Sequence, residues 1–242
     1  MTRTKRLSAL ILTIIMMLSI IPVTSMAASE NGWKKEGDYW YYYKDGEKVK
    51  GQWIKVGGKW YCLYDTGEMA ADTVIPDSEH KSFYYVGKDG AMISKQGWRK
   101  ITFTNEGVTR TYWMYIKKGG ALTTGWKKIS GKWYYFAVIM LTGEMFPGGT
   151  AIEGKYYFFN KDGSMKSKCW AKDIEGYWYY LTKSGAAQTG WKQSGGKWYY
   201  LDPAEYGRCV VNDWIEVDGK WYEFDENGVC LNPNGSDTSP YQ

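Results

Sequence analysis

The chain has 242 residues, with 31 Lys and Arg against 26 Asp and Glu and a single histidine. Its 14 Trp, 22 Tyr and 29 Gly suit many short strands and tight turns, and argue against helices packed around an aliphatic core. Three of the basic residues (Arg3, Lys5 and Arg6) sit in the N-terminal segment, so the remainder is near neutral and offers no electrostatic footprint for nucleic acid.

Residues 1–27 read as a secretory signal peptide. A basic start precedes an apolar run over 7–23, and the small-residue exit "SMAAS" places cleavage after Ala27. The competing reading is a membrane anchor, for which a run of about 17 residues is at the short limit. No later stretch is apolar enough to span, so no transmembrane anchor is expected after cleavage. The expected location is outside the cell, at the surface or wall.

Residues 28–231 consist of one unit repeated. Taking the first aromatic of each "WYY"-like run as a marker gives Trp40, Trp60, Phe83, Trp113, Trp133, Tyr156, Trp178, Trp198 and Trp221. Steps of 20 and then 23 residues recur three times, which groups the units in triplets; an insertion, "TFTNEGVTR" at 102–110, lengthens the fourth unit. An earlier Trp precedes most markers (Trp33, Trp53, Trp98, Trp126, Trp170, Trp191 and Trp214), so all 14 Trp fall in pairs, while the third and sixth units lack the early member. Dipeptides such as Gly57-Gly58, Ser130-Gly131 and Asp218-Gly219 lie between the two Trp positions, and Asp45-Gly46, Asp89-Gly90 and Asp162-Gly163 follow the aromatic run. Both sets supply the positive φ of tight hairpin turns. One hairpin cannot bury an apolar face alone, so the expected fold is all-β: a β-hairpin repeat solenoid of about nine units of ~20 residues, with three hairpins per superhelical turn. The polar segment 232–242, "NPNGSDTSPYQ", is expected to fray.

Strand alternation divides the aromatic run between two faces. The positions one and three after the marker are always large, as in Tyr134 with Phe136 and Tyr199 with Leu201, and are expected to form the core. The marker and the position two after it accept Cys62 and Glu223, so this face is expected to be partly open. The two Trp of a unit are expected to converge there into an aromatic box. Such a box suits a quaternary ammonium through the ring quadrupole, or the face of a sugar. Packing between neighbouring hairpins is the alternative role for these rings.

The segments "GWKKISGKWYYF…TGEM" (125–145), "GWKQSGGKWYYL" (190–201) and "QWIKVGGKWYCLYDTGEM" (52–69) resemble the cell-wall-binding, or choline-binding, repeat of Gram-positive surface proteins. The resemblance covers about residues 31–231. It implies a left-handed β-solenoid that holds choline of teichoic acids between consecutive repeats, each cage taking two Trp from one repeat and an aromatic, often with a Met, from the next. Carried over, Trp33 and Trp40 are closed by Trp60, Trp53 and Trp60 by Phe83, and Trp126 and Trp133 by Tyr156. Likewise Trp170 and Trp178 meet Trp198, and Trp191 and Trp198 meet Trp221, with Met69, Met92, Met145 and Met165 as candidate linings. No full cage is expected to start at the third or sixth unit, and the insertion separates Trp98 from Trp113. Ala187, Cys209 and Cys230 replace the usual Met. The implied partners are choline-decorated teichoic acids or other wall glycans, since related aromatic repeats in toxins and glucosyltransferases bind glycans. A purely structural spacer is the third reading.

Other chemistry is sparse. Cys62, Cys169, Cys209 and Cys230 each replace a regular repeat residue, read here as free thiols, and their spacing fits no zinc site. His80 has no second histidine with which to build a triad or a metal site. Acidic pairs such as Asp202 with Glu205 read as turn residues, not glycosidase carboxylates. No nucleophile motif or phosphate loop is present, so a non-enzyme without cofactor is expected.

Overall fold

The computed structural model describes residues 30–79, 81–105, 108–137, 144–145 and 148–241. Residues 1–27, expected to be a signal peptide, and His80 lie outside them. The chain forms antiparallel hairpins in succession and, among the described residues, no α-helix. In the first half, β1 (Gly32–Glu36) pairs with β2 (Tyr39–Lys44), which also pairs with the short β3 (Glu47–Lys48). There follow β4 (Gln52–Val56) with β5 (Lys59–Leu63), β6 (Thr73–Pro76) with β7 (Phe83–Val86), and β8 (Gly97–Asn105) with β9 (Val108–Ile116). Next, β10 (Gly125–Ile129) pairs with β11 (Lys132–Ala137), which is flanked by β12 (Glu144–Met145). Then come β13 (Gly148–Ile152) with β14 (Lys155–Phe159), β15 (Trp170–Lys172) with β16 (Trp178–Tyr180), and β17 (Gly190–Ser194) with β18 (Lys197–Asp202). After β19 (Arg208–Cys209), β20 (Asp213–Val217) pairs with β21 (Lys220–Phe224).

The turn residues account for the hairpins. Between β10 and β11, Ser130 at φ 48° and Gly131 at φ 83° make a two-residue loop with both residues left-handed. That geometry matches the right-handed twist of the flanking strands. The insertion adds residues to both arms of β8 and β9, which stay in register from Gly97↔Ile116 to Asn105↔Val108. Trp98 and Trp113 are therefore far apart in sequence yet neighbours across the ladder.

A short segment after each hairpin joins it to the one before. Its Gly-x-Met position bridges the residue three after the marker: Leu63↔Met69, Val86↔Met92, Phe159↔Met165 and Phe224↔Cys230. The same residue's amide donates to the preceding hairpin's marker carbonyl, Met69 N to Trp40 O and Met92 N to Trp60 O at 2.8 Å, and Met165 N to Trp133 O at 2.7 Å. One extended segment thus satisfies the edges of two hairpins. In the C-terminal half β19 performs this task for both β16 and β18, giving a five-stranded sheet ordered β15-β16-β19-β18-β17.

The position three after the marker is the core in every hairpin but the first, where Tyr43 is half-buried. Val86, Ile116, Phe136, Leu181 and Leu201 are wholly buried, and Leu63, Phe159 and Phe224 nearly so. Each such side chain contributes about 1.5–3 kcal/mol of burial. The position one after the marker departs from expectation. Met114, Tyr134 and Tyr179 are buried, but Tyr41, Tyr61, Tyr84, Tyr157, Tyr199 and Tyr222 are only half-buried.

Both ends of the stack differ from its middle. At the first hairpin the Tyr43 hydroxyl and Lys48 Nζ each donate to Glu36 at 2.6 Å, and Lys48 lies 3.7 Å from the Tyr41 ring centroid. At the other end the tail is folded, not frayed: Ser236 and Trp221 exchange both backbone hydrogen bonds at 2.8 Å, and Tyr241 packs edge-on against Trp221. Backbone pairing to an open strand supplies order that the polar composition hides.

Candidate functional site

Directly paired residues of an antiparallel ladder share a face. The register Trp33↔Tyr42 therefore puts the early Trp on the face of the marker Trp40. The same register, Trp126↔Tyr135 and Trp191↔Tyr200, recurs along the chain. Within a hairpin the two indoles meet edge-to-face, with centroids 6.5 Å apart for Trp98–Trp113 and Trp170–Trp178 and 6.3 Å for Trp191–Trp198. The expected convergence of the Trp pair on this front face is thus present, including at Trp98 and Trp113.

The next hairpin turns its back to this front. Trp33 meets Tyr61 at 4.9 Å, Trp53 meets Tyr84 at 5.7 Å and Trp98 meets Tyr134 at 5.0 Å. The series continues with Trp126–Tyr157 at 4.7 Å, Trp170–Tyr199 at 5.0 Å and Trp191–Tyr222 at 4.7 Å. The closing ring is therefore one residue beyond the marker, so the placements of Trp60, Phe83, Tyr156, Trp198 and Trp221 as closing rings are corrected. The reason is alternation along the strand: a marker on the front of its hairpin cannot also face back. Trp60, Trp198 and Trp221 instead occupy the fronts of their own hairpins. Phe83 is buried with Val74, Ile101 and Met114, and Tyr156 stacks on Tyr179 at 5.0 Å. The signal that identifies Tyr61 and its equivalents was available in the alternation itself.

The first junction encloses about 350 Å³ between Trp33, Trp40, Tyr61 and Met69, with Lys88 and Asp89 at its mouth. The second encloses about 300 Å³ between Trp53, Trp60, Tyr84 and Met92, with Asp77 and Gly119 at the rim. Both junctions take their aromatic walls from two successive hairpins; Lys88, Asp89 and Gly119 come from the hairpin beyond, whereas Asp77 lies in the same hairpin as Tyr84. The early indoles are half-buried wedges, whereas Trp40, Trp60, Trp113, Trp133 and Trp178 are all 41–43% exposed. Glycines of the following unit make room for the methionines: a Cβ at Gly90 would lie 2.3 Å from the Met69 sulfur, and one at Gly185 the same distance from that of Met165. Met145 is placed in β12 by its backbone, and its side chain lies outside the described residues.

Ion pairs between successive units are exposed. Lys59 meets Asp89 at 3.5 Å, and Lys132 meets Asp162 at 2.9 Å. The Ser164 hydroxyl, donating at 2.6 Å, together with Lys132 holds the Asp162 carboxyl down at about 2. The four cysteines are unpaired; Cys62, Cys209 and Cys230 are buried, and burial pushes the Cys209 thiol up to about 11. No group of three or more His, Cys, Asp or Glu among the described residues could hold a metal.

Hairpins stacked front to back, with an aromatic box where a hairpin carries the early Trp, define a repeat-built binding module. Choline-binding repeat profiles match residues 47–92 and 123–170, and a putative cell wall binding repeat matches 31–48, 170–187, 189–206 and 212–230. The chain belongs to the choline-binding repeat family of cell-wall-binding proteins. It is 30% identical over 240 residues to glucosyltransferase-I of Streptococcus downei, covering 83% of this chain and 15% of that protein. It is 28% identical over 175 residues to glucosyltransferase-S of Streptococcus mutans, covering 72% of this chain and 11% of that one. The chain thus spans a small part of the length of these curated relatives. Among solved structures, the choline-binding domain of CbpL from Streptococcus pneumoniae is 31% identical, with 83% of this chain and 97% of that one covered and a TM-score of 0.46.

Proposed function

We propose that the exported chain is a non-catalytic wall-binding module that holds choline groups of teichoic acids in the boxes between consecutive hairpins. On this reading the hairpins form a solenoid of nine units, three per superhelical turn, and the signal peptide 1–27 is removed. The observation that carries it is the first box: two indoles and a phenol surround an open space of about 350 Å³ with a methionine beside them. A trimethylammonium group is attracted by ring faces and donates no hydrogen bond, so an apolar aromatic wall suits it without a carboxylate. Each ring contributes roughly 0.5–2 kcal/mol, and several weak boxes on one chain give retention by multivalency.

The test is retention of the mature protein on a choline resin and its elution with free choline. Trp133→Ala, with unchanged folding, is expected to elute at lower choline. Flow-through of the unsubstituted protein would overturn the choline reading. A second reading, stacking of neutral glucan-type sugars in the same boxes, is favoured by the likeness to two glucosyltransferases. Capture by an insoluble glucan with no choline retention would establish that reading instead.

A further inference from the structure

The sixth hairpin departs from the pattern in a way that creates a different kind of groove. The ladder Gly149↔Phe158 places Gly149 where other hairpins carry the early Trp. The rings close over this gap: a Cβ on Gly149 would lie 2.8 Å from the Tyr156 ring and 2.9 Å from that of Phe158. With no indole between them, Tyr156 and Tyr179 stack nearly parallel, their planes 23° apart. The box is replaced by a neighbouring groove of about 370 Å³ that draws on hairpins six, seven and the turn beyond.

The lining of that groove is polar where the Trp boxes are apolar. The β15–β16 loop contributes Asp173 and Glu175, and the turn Pro203–Glu205 with β19 contributes Glu205 and Arg208. Asp173 Oδ1 accepts the amides of Glu175 at 3.0 Å and Tyr177 at 2.9 Å, so the loop that carries Glu175 and Tyr177 is held from within. Arg208 lies 4.5 Å from the Tyr177 ring centroid and 3.6 Å from Glu205, which fixes the guanidinium between a ring and a carboxylate. Tyr156, Tyr177 and Tyr179 line the same space. Three carboxylates against one guanidinium leave the lining net negative.

We infer that this groove is a sugar subsite, distinct from the Trp boxes, that takes a neutral pyranose unit. A pyranose has an apolar face for a tyrosine ring, and its paired hydroxyls match the planar forks of carboxylate and guanidinium. A quaternary ammonium would meet the net negative charge but leave the forked acceptors and donors unmatched, so choline-induced shifts at 173–179 and 205–208 would also overturn the inference, and the net charge disfavours phosphate or uronate. The inference leaves the choline reading of the Trp boxes untouched and gives the chain a second specificity.

The test uses the mature protein, a neutral glucose tetrasaccharide and choline, followed by amide and indole resonances in NMR titrations. The sugar is expected to shift amides of 173–179 and 205–208, and choline the Trp indoles. Tyr177→Ala and, separately, the conservative Glu205→Gln are expected to weaken sugar binding about tenfold while leaving choline elution unchanged. Sugar shifts confined to the Trp indoles, or sugar binding unaltered in both variants, would overturn the inference. So would an absence of any sugar-induced shift. Choline retention is read independently, so its failure does not imitate any of these results.

Discussion

At the residue scale, single glycines and cysteines decide how tightly the junctions pack. Gly90 combines φ 74° with the close Met69 sulfur, so Gly90→Ala meets both a left-handed backbone and a crowded neighbour. It is expected to destabilise the protein by about 1–2 kcal/mol, read as a lower urea midpoint, and to disturb the first box. Cys209 is 4% exposed, and burial, with the Asp225 charge second, raises its thiol to about 11. Its alkylation at about pH 8 is expected to be slow in the native protein and fast in urea, when followed by mass spectrometry. The raised thiol also has a sign for stability. Between the ordinary cysteine value of about 8.5 and 11, the unfolded chain loses the proton first, so this contribution is present below that window and lost as pH rises through it.

At the element scale, the hairpin and its following segment act together. Asp162 lies in the turn of the sixth unit and pairs with Lys132 of the fifth hairpin. Its carboxyl is held at about 2 against an ordinary value of about 3.9. The linked stability is therefore present above about pH 4 and lost as pH falls towards 2. The drop in urea midpoint between about pH 5 and pH 2.5 is expected to be smaller in Lys132→Gln, and modest in both because the pair is exposed. Much of this level was readable from the chain. Turn dipeptides and the uniform large residue three after each marker identified hairpins and core, because period-two alternation and positive-φ turns are local properties. The closing tyrosines were missed because the position after the marker was assigned wholly to the core, and the resemblance was carried over from marker to marker; Tyr134 faces the neighbouring hairpin that Trp133 turns away from. The order of the tail and the groove at Gly149 were also hidden. Both depend on what a distant segment does: Ser236 pairing with Trp221, and the Pro203–Glu205 turn reaching hairpin six.

At the scale of the whole molecule, the first and last hairpins make contacts of their own, and the Trp boxes lie between successive hairpins. Glu36, Lys48 and Tyr43 form a polar network on the first hairpin, and Tyr241 of the tail packs edge-on against Trp221. If the boxes hold choline, each bound group bridges two hairpins, and ligand that binds only the stacked state stabilises it. The midpoint of thermal unfolding is then expected to rise with choline concentration, by about 2.7 kcal/mol of stability per site at a hundredfold excess over the dissociation constant. Trp133→Ala is expected to flatten that rise, and an unchanged slope would remove its junction from the set of occupied sites.

The offset between Trp33 and Tyr61 has a further consequence, for how such a chain grows. A box is a property of the seam between two copies, so its walls come from different copies of the repeated segment. Duplicating one copy inserts one new seam assembled from halves already in use, and loss of a copy rejoins two halves that had never met. A change in one Tyr–Trp pair of a single copy is felt at the seams on both of its sides. The array can therefore gain or lose capacity by whole-copy recombination without inventing a wall, provided that the front of one copy still fits the back of the next.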